Sequence, residues 1–517
     1  MSRVTLLVSF LSAAALLLAL AVLVLAAVTH HPFFDECVHA HYAWLISQGL
    51  SPHDDFWCVY PVLGYLIVQP FFRILPQTPD LLVVLRGFSA ALLLGTGIVL
   101  SLHARRVARM RLWGWAPFAL IVLTPKLGDF FAEFSIDHFA ALCAVGAFVL
   151  MLEEPSRLRL AAATMLAVVS IITTPKYAVT LAPSLAAFLA YACWKTPGRW
   201  RNTLPAFLAA AAAVAALALI YRAFGCRLFQ NLYWAHIFMG KWMIRFEECP
   251  IRLSRTAYAF LLHHWPLGLV LLGGIAGWAA RAFRPPRAAA WAGTGILIGV
   301  AVSLAVLRKY HEQYLAPVLL PLAVFPAYLA AAVPGRIARG ALSLALAGAL
   351  IVTAVGQIRF RSARLERFDA DRVDPLVDST RGMGRGIDPL LPALKSMKTI
   401  LSLVPPEERV VAIWEGHPVF RRDLTFITYD MGPGCSFRDV LPSGSPLVRY
   451  FDPEYFLRSL EARPPAYICL VHLENNYPPG WLEVCVDFLR RNPDLYRRID
   501  LSGFPIFLRR DLPPRAP

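Results

Sequence analysis

The sequence predicts a polytopic α-helical membrane protein with a small α/β domain at its C-terminal end. Three observations predict it. The 517 residues are 57% hydrophobic and only 16% charged, with a mean hydropathy of +0.55. Uncharged runs approaching the roughly 20 residues needed to cross a bilayer recur through positions 1–358. Beyond them the composition turns polar, beginning RFRSARLERFDADRVD, and no long apolar run follows.

In order, the apolar runs lie at 6–28, 81–102, 112–123, 139–152, 160–173, 178–193, 204–221, 259–279, 288–307, 315–332 and 341–358, about eleven spans, several short or interrupted by proline. The first is led by Arg3. Its apolar core exceeds the roughly 7–15 residues of a signal peptide and no small-x-small cleavage site follows, so it reads as a retained anchor.

The net charge of +16 would suggest nucleic acid in a soluble protein, but its placement excludes that partner. Much of the excess sits in short connectors: Arg105, Arg106, Arg109 and Arg111; Lys195, Arg199 and Arg201; Arg281, Arg284 and Arg287; Arg336 and Arg339. With Arg3 inside, strict alternation places all four connectors inside, the positive-inside pattern of cytoplasmic loops. The same alternation places 30–80, 124–137, 174–176, 222–258, 308–313 and everything after 359 outside. The expected organisation is a transmembrane core over 1–358 and an extracytoplasmic α/β domain over 359–517. One outer loop breaks the charge rule with Arg222, Arg227, Lys241, Arg245, Arg252 and Arg255, and is expected to meet an anion.

Within the first outer segment, 30–80, Asp35 stands where a helix N-cap would, ahead of ECVHAHYAWLISQ, which Gly49 could terminate. The following PVLGYLIVQPFFRIL is too short and proline-broken to span, and is expected to lie in the interface as an amphipathic helix. In the tail, 389–403, 453–460 and 481–491 read as helices, and 409–414, 466–471 and 504–508 as strands. No repeat, GxGxxG or P-loop pattern occurs, and the nine cysteines show no CxxC spacing. Cys37 with Cys58, or Cys226 with Cys249, could pair on an oxidising side; small apolar fillers is the simpler reading.

A carboxylate pair at a membrane exit is expensive to hold near lipid, so Asp35 and Glu36 are functional candidates by default. Asp35, Glu36, Gly49, Pro52, Asp55, Phe56, Trp57, Tyr60 and Pro61 spell DE–helix–G–x–x–P–x–x–DFW–x–x–YP directly after the first span. This pattern resembles the PMT-type membrane glycosyltransferases of the GT-C fold. That group includes the dolichyl-phosphate-mannose protein mannosyltransferases, the aminoarabinose transferases of lipid A, and the galacturonosyltransferases of lipopolysaccharide core. The resemblance covers the first outer segment well, and the regions of Asp137, Lys176 and His311 loosely.

What the resemblance implies is transfer of a sugar from a polyprenyl-phosphate carrier to an acceptor (a lipid, glycan or protein) outside the cytoplasmic membrane. Such a displacement needs a base for the acceptor hydroxyl and cations for the departing phosphate. Asp35 matches the position of the base, with Glu36 beside it; a plain N-cap is the alternative. Asp54, Asp55, Tyr60 and Asp137 are candidates for sugar or acceptor contact, with turn chemistry competing at the aspartate pair and an N-cap at Asp137. Asp137 follows Ser135-Ile136, where the family often has Arg-Pro. Lys176, Lys241, Arg245, Arg308, Lys309 and His311 are candidate carrier-phosphate partners, a snorkelling lysine being the alternative for Lys176. The Lys-Pro-Pro of aminoarabinose transferases is absent, with Val59, Tyr60, Pro61 and Val62 in its place, which argues against that subgroup.

His30, His31, His39, His41, His53, Asp54 and Asp55 could bind a divalent ion, but no ligand spacing is distinctive and His41 leaves the face shared by Asp35 and His39. The resembled transferases generally work without a catalytic metal, so no cofactor is expected. Two other classes fit less well. A transporter or flippase for a lipid-linked anionic glycan would carry its charges near the midplane in repeated spans. A polysaccharide polymerase or ligase would place its large outer loop late in the chain.

Overall fold

The computed structural model describes residues 3–29, 34–52, 55–56, 58, 60–107, 111–123, 128, 132–195, 200–229, 232, 253–282, 287–306, 315–366, 390–412, 417–424, 452–470, 480–501 and 504–512. Among these, six helices are long and apolar enough to cross a membrane: Ser9–Thr29, Leu81–Val107, Pro175–Lys195, Thr203–Ala223, Ala288–Val306 and Ile337–Arg359. Asp137–Met151 and Ala316–Ala332 are shorter apolar segments. The chain is an integral membrane protein.

Helix stands at every predicted span, but eleven helices of spanning length do not. Arg111–Leu123 and Arg157–Thr173 have only 13 and 17 residues. The run at 259–279 divides between Leu253–His263 and Trp265–Ala282, with Pro266 opening the second piece. The run at 315–332 divides into Ala316–Leu322 and Pro326–Ala332, because Pro326 has no amide to continue the ladder and so starts a new helix.

The bundle is held by close backbone approach as well as by apolar side chains. Gly295 and Gly299, one turn apart on Ala288–Val306, face Ala178–Lys195. A Cβ on Gly295 would lie 2.6 Å from the Pro183 carbonyl oxygen, and one on Gly299 2.6 Å from Thr180 Cα. Small residues at this spacing let helices pack where lipid offers no hydrophobic drive between them. Elsewhere the first helix, Arg3–Thr29, packs along Arg336–Glu366.

The segment predicted as one interfacial helix is two short helices: Leu63–Ile67 is largely buried, whereas Gln69–Ile74 buries Gln69 and Phe72 and leaves Arg73 and Ile74 exposed. Gln69 explains the burial: its amide donates to the Ala43 carbonyl (2.9 Å) and the Tyr65 carbonyl (3.0 Å), tying both pieces to the Phe34–Ser47 helix. That helix ends as the sequence predicts. Gly49 adopts φ +79°, the Leu50 amide donates to the Leu45 carbonyl and the Gly49 amide to the Ile46 carbonyl, a Schellman closure that a left-handed glycine permits.

The C-terminal elements form one five-stranded sheet, order β2-β1-β3-β5-β4, from β1 (Arg409–Val411), β2 (Arg422–Asp423), β3 (Tyr467–Cys469), β4 (Tyr496–Leu501) and β5 (Phe504–Arg509). β1 pairs in parallel with β2 and β3, whereas β5 is antiparallel to β3 and β4. Strand alternation sorts the side chains. Val410, Tyr467, Cys469, Ile506 and Leu508 face a core with Ile400 and Val404. Val411 and Ile468 join the main core, where Phe456 stacks on Trp481 at 3.9 Å. Arg421 fixes the preceding Leu390–Leu403 helix by donating to the Leu401 and Val404 carbonyls, which a helix C-terminus leaves without partners.

Candidate functional site

The Phe34–Ser47 helix organises the site. It begins one residue before Asp35, which therefore lies in the first turn, where the helix dipole favours an anion, rather than at the cap position. At about 100° per residue, Glu36, His39 and His41 point in three directions, and His39 stays on the face of Asp35.

Glu36 is fully buried. Arg86 meets it in a fork, Nε to Oε1 at 2.8 Å and a terminal nitrogen to Oε2 at 2.6 Å, and the Phe134 amide donates to Oε1 at 2.9 Å. Arg86 also donates to the Ala27 carbonyl at the end of the first span. Both carboxylate oxygens are thus occupied from inside the bundle. This corrects the expectation that Glu36 shares the chemistry with Asp35: it anchors the helix that carries Asp35. Arg86 was missed from sequence, although a lone arginine within LLVVLRGFSAALLLG is itself a signal, because an intramembrane charge needs a partner.

On the next face, His39 is enclosed by aromatic rings, with Tyr60 at 4.7 Å and Phe134 at 6.4 Å between centroids, and its Nδ1 hydrogen-bonds the Tyr65 hydroxyl at 2.8 Å. Burial pushes its imidazole down to about 4, with the Asp137 carboxylate pulling the other way and Lys176 and His138 adding to the depression. Asp137 opens the Asp137–Met151 helix; its carboxylate is paired with Lys176 and accepts from the Thr174 hydroxyl at 3.1 Å. Lys176 sits in the short Pro175–Tyr177 turn and is almost wholly buried, so snorkelling to water is not its role. The structure therefore brings Tyr60, Asp137 and Lys176 together beside the helix of Asp35.

Asp55 is exposed, and its carboxylate accepts the Ser51 amide at 2.8 Å while its own amide donates to the Ser51 carbonyl at 2.9 Å, so it is a turn-closing residue in this structure. Cys37, Cys58 and Cys226 are buried thiols. Asp54, Lys241, Arg245, Arg308, Lys309 and His311 lie outside the described residues, as do His30, His31, His53 and Cys249.

On its third face the helix meets the C-terminal unit. His41 stacks on Trp44 and lies 4.4 Å, centroid to centroid, from His417. Asp423 accepts from both rings, His41 Nε2 at 2.8 Å and His417 Nε2 at 3.0 Å. Burial pushes the Asp423 carboxyl up, but the two imidazoles overcome it and hold the group at about 2. Nothing in the sequence connects positions 382 residues apart, so this cluster was not foreseen.

The opposite end of the bundle is different in kind. There Arg106 pairs with Glu153, and Lys195 with Glu154, at the far ends of the helices that begin near Leu81, Asp137 and Lys176. Basic connectors and candidate site thus occupy opposite ends.

Two solved structures share this architecture. ArnT from Cupriavidus metallidurans bound to undecaprenyl phosphate aligns with a TM-score of 0.53 at 14% identity, covering 98% of this chain and 99% of that one. ArnT from the same organism in the apo state gives 0.55 at 14% identity, covering 98% of each chain. The fold is GT-C. No family model matches the sequence, and no curated protein does. The GT-C bundle and the sheet both fall within the aligned length, since almost none of either chain is left over.

Proposed function

We propose that the protein is a membrane glycosyltransferase that moves a sugar from a polyprenyl-phosphate donor to an acceptor outside the cytoplasmic membrane. The observation that carries this reading is the meeting of Tyr60, Asp137 and Lys176 beside the Asp35 helix at one end of a GT-C bundle. An ArnT structure with the same fold holds undecaprenyl phosphate, which supports a carrier of this class.

In the proposed reaction Asp35 takes the proton of the acceptor hydroxyl, whose oxygen attacks the anomeric carbon. The bond from that carbon to the phosphate oxygen breaks, and the phosphate leaves with the electron pair. A single displacement of this kind inverts the anomeric centre. Lys176, with Asp137 fixing its ammonium, is the proposed neighbour of the departing phosphate, aided by Lys241, Arg245, Arg308, Lys309 and His311. Asp54, Asp55 and Tyr60 are proposed at the sugar or acceptor side. The N-terminus is assigned to the inside and the C-terminal α/β domain, 359–517, to the outside.

The deciding assay supplies purified protein with polyprenyl-phosphate sugars and follows transfer and product configuration. Asp35→Asn is expected to lower turnover by at least about 100-fold, the lower range for removing a general base, with donor binding kept. Near-normal turnover in that variant would remove Asp35 from the chemistry. Lipid flipping without sugar release would point to a transporter instead.

A further inference from the structure

We propose that His41, His417 and Asp423 form a structural site for a divalent transition-metal ion of the zinc class, which pins the C-terminal unit to the Phe34–Ser47 helix. One donor atom from each residue lies within 4.8 Å of the others, and all three side chains are at most 8% exposed. Two imidazoles and one carboxylate are the mixed donor set that zinc accepts, whereas calcium and magnesium prefer oxygen alone.

The surroundings are built for a fixed centre. His41 Nδ1 lies against the Val419 carbonyl, the outer bond that sets a ligating histidine's tautomer and turns Nε2 to the centre. The Val419 amide donates to His417 Nδ1 at 2.9 Å. Val419 serves both rings from a left-handed backbone, φ 53°, a conformation costly for a β-branched residue and retained where the surroundings impose it.

A metal ion would replace the ring protons between the histidines and Asp423, so loading releases protons and strengthens with pH. One rearrangement is required: His417 Nδ1 now accepts from the Val419 amide, and that bond must break, because Nδ1 carries the proton once Nε2 binds metal.

The test uses the full chain, purified in detergent and stripped with chelator. After loading with zinc and desalting at neutral pH, metal analysis is expected to find one ion per chain, and cobalt loading is expected to give the visible absorption of a four-coordinate nitrogen–oxygen site. His417→Ala and Asp423→Asn are each expected to weaken binding by more than about 100-fold, beyond what an outer-shell partner costs. His39→Gln, on another face of the same helix, is expected to keep the ion. Wild-type protein that retains no ion and shows no cobalt band would overturn the proposal in favour of a proton-filled triad. Equal retention by the His417 and Asp423 variants would overturn it too, by placing the metal elsewhere. Neither result depends on transferase activity, so this inference and the functional reading fail separately.

Discussion

Arg86 and Glu36 have exchanged water for each other, and such a pair is far costlier to break than to replace. Arg86→Met leaves a buried carboxylate without its partner and is expected to destabilise the protein by about 3–5 kcal/mol, whereas Arg86→Met with Glu36→Leu recovers most of the loss. Thermal denaturation in detergent reads this directly; a single variant as stable as wild type would show that the pair contributes nothing. His39 gives a pH signature of definite sign. Unfolded it binds a proton near 6.5, and folded not until about 4. Between those values the unfolded state holds the extra proton, so stability rises with pH, complete above 6.5 and declining towards 4, with at most about 3 kcal/mol from this residue. His39→Gln should flatten the melting-temperature profile across that window by one proton; an unchanged slope would place its titration elsewhere. At this scale the sequence pointed well to composition but poorly to partnership. Asp35, Tyr60, Asp137 and Lys176 stood out by type and position, yet whether a carboxylate faces substrate or an arginine inside the bundle is set by contacts such as Glu36 to Phe134, 98 residues away.

The helices were the most readable elements, because a span announces itself by length and apolarity. Where prediction slipped, proline or polarity was the cause. Pro326 and Pro266 divided two spans by removing a backbone donor. β4 escaped notice because YRRIDL is an edge strand, paired on one side only, and its charges hide the alternation that marks a half-buried strand. The contact between Ala178–Lys195 and Ala288–Val306 yields the element-scale prediction. Gly299→Leu drives carbon into the Thr180 backbone and is expected to cost about 1–3 kcal/mol or more, since neither helix can give way without shifting. Gly348→Ala, with nothing within 4 Å of its added carbon, is expected to be neutral or stabilising by about 0.5–1 kcal/mol. Equal effects at the two positions would rule out close backbone packing as the cause.

For the whole molecule, the separation of basic connectors from candidate site fixes an expected orientation. Reporters fused after Arg106 and after Lys195 should read as cytoplasmic, and reporters after Ser47 and at the C-terminal end as extracytoplasmic. A cytoplasmic signal from the Ser47 fusion would reverse the topology and end the proposed chemistry. The contact between His41 and Asp423 also has a bearing on how the protein is made. At about 5–20 residues per second, translating the 382 residues between them takes roughly 20–80 s. Through that interval the nascent chain can already have joined Glu36 to Arg86, while the flank bearing His41 and Trp44 stays bare. Chaperones and proteases of the membrane therefore have their opening there, and a ribosome stalled short of Phe420 should leave Trp44 susceptible to cleavage or labelling that completion of the chain abolishes.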